Sequence, residues 1–536
     1  VSLFTKKSVV ALAALLALST LFVASCAKKE LTVENAEFQF SNMTEPQSLD
    51  PALIQGVPEH RIYMALFEGL TVFDPKDNTP KPGLAESWTK SADGKTWTFK
   101  LRKATWSDGE PITAQNIVDS WLRIMDPATA ANYAYMPAAA IEGAEAYNAG
   151  KGSKDDVKIK AVDAQTFEVT FVGPLPYALD MLTHYSFAVM PMHAIAKFGA
   201  EWTKPENFVG NGPFIVKEWK PQQHLLLAKN PKYWDAKNVK LNSIAMYPIE
   251  DQNVALDKFK AGELDWIPEI PPAKIDEVKL DKRYQVIPAT TVYYYIFNTT
   301  RKPFDDVRVR KALSMAINRQ ELTENVLKAG DVPTGGLVPP MAGYVTAKGN
   351  TFDVEAAKKL LAEAGYPDGK GFPKFTVIYN TSARHKTIGE WVQQQWKTNL
   401  GIDIELQNLE WQTFLDTRSK THDFYVSRAG WQADYQDPGN YLEMFLTAKT
   451  PGNWGNNDGM YSSKEFDDLM AQASRMEGGP ARNEVMQKAE SILIDRDQAI
   501  APFFFYVNQD MIDTTKWGGW YAVPANNHPW KDIYKK

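Results

Sequence analysis

Phe424-Tyr-Val-Ser-Arg-Ala-Gly-Trp-Gln-Ala-Asp-Tyr-Gln-Asp-Pro438 sets an apolar run directly before an arginine, two carboxylates and two further aromatics. The run Phe424-Tyr425-Val426 reads as a buried strand, and Arg428 to Pro438 as the segment leaving its end. A carboxylate placed there among Trp431 and Tyr435 is poorly solvated, and burying it ionised is costly unless a cation meets it. For Asp434 that cation is either a protein side chain, Arg428 being the nearest in sequence, or the ammonium group of a ligand.

Around this stretch strands alternate with helices. Val292 to Phe297 is a tyrosine-rich strand, and Val307 to Lys328 a long helical stretch. Asp353 starts another helix that ends at Gly365, with Pro367 beyond it. Phe375 to Tyr379, Ile402 to Leu406 and Phe424 to Ser427 read as strands. Residues 386–399 are helical between the first two, and Trp411 to Arg418 is a helical turn before the third. Such alternation predicts βαβ units in a mixed or parallel sheet, whose ligands bind at the carboxyl ends of strands. The stretch quoted above lies at such an end. Before residue 291 the pattern differs. Glu86 to Leu101 reads as a hairpin turning at Asp93-Gly94, with Trp97, Phe99 and Leu101 on its buried face. Thr113 caps a helix carrying Ile117, Val118, Trp121 and Leu122, and residues 166–172 alternate as a strand.

At the other end of the chain, Lys6 and Lys7 precede an apolar stretch from Val9 to Val23, which makes residues 1–25 a secretory signal rather than a spanning helix. It runs into Val23-Ala24-Ser25-Cys26, and Cys26 is the only cysteine in 536 residues. Small residues before a lone cysteine resemble the lipobox of bacterial lipoproteins, which implies an acylated Cys26 with 26–29 as a tether. Acyl chains contribute roughly 0.8 kcal/mol per buried methylene, so several hold a soluble domain at a membrane. With no second cysteine there is no internal disulfide, and the core must supply the stability. The chain has 59 Lys and Arg against 65 Asp and Glu; losing Lys6 and Lys7 with the signal leaves a net charge of −8. That balance argues against nucleic acid as a partner.

Enzyme signatures are missing. There is no Gly-x-Ser-x-Gly elbow, His-Glu-x-x-His, Walker loop or Gly-x-Gly-x-x-Gly, and the seven histidines never pair at i, i+4. One cysteine gives no zinc site of familiar spacing. The reading is of a non-enzymatic protein without metal or cofactor.

Three segments, Gly83-Leu-Ala-Glu-Ser-Trp88, Asp93-Gly-Lys-Thr-Trp-Thr-Phe-Lys-Leu-Arg102 and Trp106-Ser-Asp-Gly109, resemble the signature of the peptide- and nickel-binding family of bacterial solute receptors. Ser48-Leu-Asp-Pro51, Gly56-Val-Pro-Glu59, Glu410-Trp-Gln-Thr-Phe-Leu-Asp-Thr-Arg418 and the stretch ending at Pro438 resemble its oligopeptide-binding branch, the extracytoplasmic receptors of peptide ABC importers. The similarity runs from about residue 35 to the C-terminus. It implies an α/β, periplasmic-binding-protein-like clamshell with two mixed α/β lobes plus an inserted third domain. Domain I would comprise 30–67, 192–290 and 502–536, the inserted domain II 68–191, and domain III 291–501. The resemblance also implies a monomer that swallows short extended peptides. Pairing their backbone with strand edges combines affinity with broad specificity, and a membrane permease receives them.

By the same resemblance, Asp434 receives the peptide's α-ammonium, and Gly430 and Gln432 offer backbone groups to it, with Val57 on the facing domain. Arg428, Arg418 and His385 meet the terminal carboxylate at different peptide lengths, a role that suits arginine's planar fork. Trp411, Trp431, Tyr294 and His184 wall side-chain pockets. Read without the resemblance, Arg428 pairs with Asp434 or Asp437, the tryptophans are core, and His385 is a surface residue.

The chain departs from enteric members at Gln55 and Met64, where they carry glutamate and arginine, so a charged pair on the cleft's first wall is expected to be absent. It departs again at Thr291 and Gln432, where they have a disulfide between two cleft strands. The tyrosine role near Tyr133 and Tyr135 stays open. Other readings on the same fold are a different solute (dipeptide, murein peptide, haem or nickel chelate) and a surface adhesin or chaperone.

Overall fold

The computed structural model describes residues 30–448 and 455–536. The signal, Cys26 and the tether lie outside them. The described residues divide into two compact units, 30–36 and 37–536. In the first, the Asn35 side chain accepts a hydrogen bond from the Thr32 N–H at the short turn Val33–Asn35.

The second unit is built on a mixed sheet of eleven strands. In spatial order its path runs Ile404–Leu409, Phe375–Asn380, Val426–Gln432, Tyr284–Phe297, Ile500–Ile512, Trp266–Ile267, Phe38–Ser41, Ser243–Tyr247, His224–Lys229 and Phe214–Lys220. Val332–Pro333 pairs beside Ile500–Ile512. The tyrosine-rich run sits at the centre, hydrogen-bonded on both sides, and Val292 to Phe297 are all buried. Burial on both faces is why that segment reads as continuously apolar instead of alternating. Phe375–Asn380 and Ile404–Leu409 are parallel, with the helix Ala383–Leu400 between them, as the βαβ pattern predicts.

The quoted stretch itself needs a correction. Its strand runs from Val426 to Gln432, so Arg428 to Gln432 belong to it and only Ala433 to Pro438 follow. Local propensity favoured Phe424 and Tyr425. Antiparallel pairing with Thr291 to Phe297 carries the strand through Arg428, Gly430 and Gln432 instead, since pairing and burial override propensity in sheets. The helical stretch from Val307 also breaks. It stops at Met315, and the Asn318 side chain caps a second segment by accepting from the Glu321 N–H.

Within 68–191 the hairpin forms as read, from Ala85–Lys90 and Thr96–Leu101, and joins Thr166–Thr170 and Ile159–Asp163 in a separate four-stranded sheet. Trp97, Phe99 and Leu101 are buried. The helix Ala114–Met125 covers it, with the Asn116 side chain accepting from the Thr113 N–H. Among the described residues no helix is long and apolar enough to cross a membrane.

Candidate functional site

A cavity with about 270 Å3 of water-accessible volume opens at the carboxyl ends of Phe375–Asn380 and Val426–Gln432. Arg428, Gly430, Trp431, Gln432 and Asp434 line it from the last strand and the turn beyond, and Tyr294 from the central one. His385, Trp411 and Arg418 line it from the helical segments after residue 380, and Val57 faces them. Of the sequence-expected residues only His184 is off the lining; it is wholly buried, with Nε2 3.2 Å from Asp434 Oδ1.

The carboxylates of the quoted stretch separate cleanly. Asp437 is taken by Arg482, whose guanidinium donates to both its oxygens at 2.6 and 2.9 Å. Asp434 pairs with no arginine or lysine, and its buried Oδ2 has no hydrogen-bond partner among the described residues. The Asn440 side-chain oxygen accepts from both the Asp434 N–H and Trp431 Nε1, at 2.9 Å each, and so orients the carboxylate and the indole together. Burial, then the charge of Asp434, pushes the Tyr133 and Tyr185 hydroxyls well above the ordinary tyrosine range. Both therefore keep their protons beside that carboxylate. Tyr133 lines the cavity; the Tyr135 hydroxyl instead accepts from the Asn456 amide.

Arg428 pairs with neither aspartate. Its guanidinium donates to Asn380 Oδ1 at 3.1 Å and to the Tyr506 hydroxyl at 3.3 Å, and lies 5.4 Å from the Tyr293 ring centre. Arg418 is already neutralised, with Nε 2.7 Å from Asp458 Oδ2. His385 is buried in the first turn of Ala383–Leu400 and is not a surface residue. Burial, Arg428 and Arg384 hold its pKa well below the usual histidine value, so it lines the cavity as a neutral imidazole rather than a cation.

Two walls meet across the cleft. Trp411 Nε1 donates to Glu59 Oε1 at 3.2 Å, and the Gln55 amide donates to Asn456 Oδ1 at 3.0 Å while accepting from Asn132. Gly56 holds φ +112°, and a Cβ there would stand 2.9 Å from the Trp411 ring, so the approach requires glycine. Gln55 thus sits in the cleft in an uncharged amide network. Met64 does not: it lines a separate cavity of about 40 Å3 with Phe67, Phe73 and Tyr233. The expectation that Met64 belongs to the cleft wall fails because of its distance along the helix: it shares the helical face of Val57, His60 and Arg61, but a turn beyond His60 on Val57–Leu66 it lines the second cavity and not the cleft.

Thr291 and Gln432 are register partners on adjacent strands, and Gln432 Nε2 donates to the Ala525 carbonyl at 2.6 Å. Asn380, Tyr506, Asp458 and Asn440 were not legible as site residues. Nothing in their local sequence sets them apart.

A cleft at strand ends, lined by aromatics and holding a carboxylate without a protein cation, is the site of a solute-binding clamshell. Residues 79–453 match the family model of bacterial extracellular solute-binding proteins, family 5, in its middle part, and the chain belongs to that family. It is 39% identical over 548 residues to the periplasmic oligopeptide-binding protein OppA of Salmonella typhimurium, covering 99% of this chain and 98% of that one. Among solved structures, the periplasmic oligopeptide-binding protein OppAIV of Borrelia burgdorferi superposes with a TM-score of 0.90 at 37% identity, covering 93% of this chain and 99% of that one. Haemophilus influenzae OppA in complex with the peptide RPPGFSPFR superposes at 0.87 and 34%, covering 93% and 98%. The fold is the α/β clamshell of these relatives.

Proposed function

We propose that this chain is an extracytoplasmic receptor that closes on short extended peptides and delivers them to the permease of an ABC importer. The observation that carries this reading is Asp434, which lines the cavity with its buried Oδ2 unpartnered among the described residues, while its neighbour Asp437 is paired by Arg482. A peptide's α-ammonium supplies both the charge and the donors that oxygen lacks. Arg428, held on neutral partners, is free to meet a carboxylate at the other end. The relatives named above as oligopeptide-binding proteins support the same solute class.

With this reading go the acylated Cys26, the monomeric state, the absence of catalysis and the three-domain division at 30–67/192–290/502–536, 68–191 and 291–501. Supporting the division, the central strand and Ile500–Ile512 shift register between Pro288 and Val292, near the proposed boundary. Native mass spectrometry of the purified protein tests the whole. A ladder of co-purified peptide masses is expected; an empty cleft with tight binding to unfolded chains or host protein overturns the receptor in favour of a chaperone or adhesin.

A further inference from the structure

Away from Asp434, the same cavity holds a second unpartnered group. Gln509 is 2% exposed, lines the cavity, and has no partner among the described residues for either its amide nitrogen or its amide oxygen. A buried amide that no protein group pairs at either end suits a ligand group that both donates and accepts. Met511, two residues beyond Gln509 on Ile500–Ile512, pairs with Ile267, and Glu269, two residues beyond Ile267, also lines the cavity. Gln252 begins the helix Gln252–Ala261, which packs in one apolar cluster with Ile267 and Met511. It is 5% exposed and lines the cavity; its nitrogen donates to Ser382 Oγ at 3.4 Å, its side chain also hydrogen-bonds Glu269, and its oxygen is unpartnered among the described residues.

The surrounding charges select against an ionic occupant. Arg61, Arg384 and Arg428 line the cavity with Glu269. Burial raises the Glu269 pKa, and the three guanidiniums work against that rise, so they lie within electrostatic reach of it. An added cation would meet the arginines, and an added carboxylate would be drawn to Arg428 rather than held by the two amides. A neutral group with one donor and one acceptor completes Gln509 and Gln252 at no such cost.

We infer that Gln509 and Gln252 form a subsite for an uncharged carboxamide side chain, Asn or Gln, of the bound peptide. The subsite rests on the peptide-receptor reading. Its test is calorimetry of the peptide-free chain with short alanine peptides carrying one Gln, Asn, Met, Leu, Lys or Glu at each position in turn. At one position the carboxamide is expected to bind about fivefold tighter or better than its apolar near-isostere and than Lys or Glu, the yield of one neutral hydrogen bond. Gln509→Met is expected to collapse that ratio to about twofold or less. The subsite is overturned if no position favours a carboxamide, or if Gln509→Met leaves the ratio unchanged. Should that variant fail to fold, the position scan on the unaltered chain decides alone. Peptides bound without carboxamide preference sink the subsite only; no binding of any peptide sinks the receptor reading and the subsite with it.

Discussion

His184 Nε2 lies 3.2 Å from Asp434 Oδ1, off the cavity lining, so the contact leaves the other carboxylate oxygen for the cleft. Removing one member of a buried hydrogen-bonded charge pair costs about 2–5 kcal/mol. Asp434→Asn is therefore expected to weaken peptide binding by roughly 30-fold to a few thousandfold. N-acetylated peptides should lose a similar factor with the unaltered chain and little more with the variant. Equal affinities for free and acetylated peptides by calorimetry would falsify the anchor.

Three residues on, Asp437 plays a structural part. Its side chain and that of Arg482 are 8% and 4% exposed, and Arg482 also donates to the Ala473 carbonyl. Arg482→Met leaves a buried carboxylate without its cation and is expected to cost about 3–5 kcal/mol in urea denaturation. Asp437→Asn combined with Arg482→Met should recover part of that loss, because no unpaired charge remains. A single-variant loss below about 1 kcal/mol contradicts the pairing.

How far the site could be read from the chain varies with the kind of interaction. The strand-end location of Asp434 was legible, because alternating strands and helices imply an α/β sheet and place ligands at strand ends. Which aspartate stays free was not: the cation that takes Asp437 comes from position 482, and no local pattern links them. The same holds for Asn440, whose single oxygen serves both Asp434 and Trp431. Without the resemblance His385 reads as a surface residue, because burial of a polar helix start is decided by what packs over it. The strand limits near Arg428 failed for a like reason, since partner strands rather than propensity extended it. The departures at Thr291 and Gln432 were legible as one site, and they are cross-strand partners.

Stability should fall as the pH rises from acid to neutral. Burial raises Glu59 from 4.5 to about 7, only partly offset by the Gln47 and Trp411 N–H groups that donate to it. A carboxyl raised on folding binds more protons in the folded state, so its contribution is complete below pH 4.5 and is lost as pH rises to about 7. Glu68 and Asp510, both raised to about 7 by burial, act in the same direction. Glu59→Gln keeps an acceptor for Trp411 and removes the titration. Its stability relative to the parent should improve by about 1–3 kcal/mol between pH 5 and pH 8. Parallel pH profiles for parent and variant in urea denaturation would show that Glu59 is not titrating in this range.

Thr291 and Gln432 face each other in an antiparallel ladder, where Cα atoms of directly opposed residues stand about 4.5–5.5 Å apart. That separation falls within the range a disulfide spans. Thr291→Cys with Gln432→Cys, in a chain lacking Cys26, is therefore expected to form one intramolecular bridge on mild oxidation. Mass spectrometry should show loss of two hydrogens and thiol titration no free sulfhydryl. The bridge closes a loop of well over a hundred residues, for which chain entropy alone predicts about 5 kcal/mol of stabilisation against the reduced form, and disulfides typically deliver about 2–4 kcal/mol. Against this, the variant gives up the Gln432 hydrogen bond to Ala525, which ties the cleft strand to the C-terminal segment. If that tie dominates, the oxidised variant gains nothing over the parent although the reduced variant is weaker than both. Two free thiols after oxidation would instead mean that the two positions are not cross-strand partners in solution.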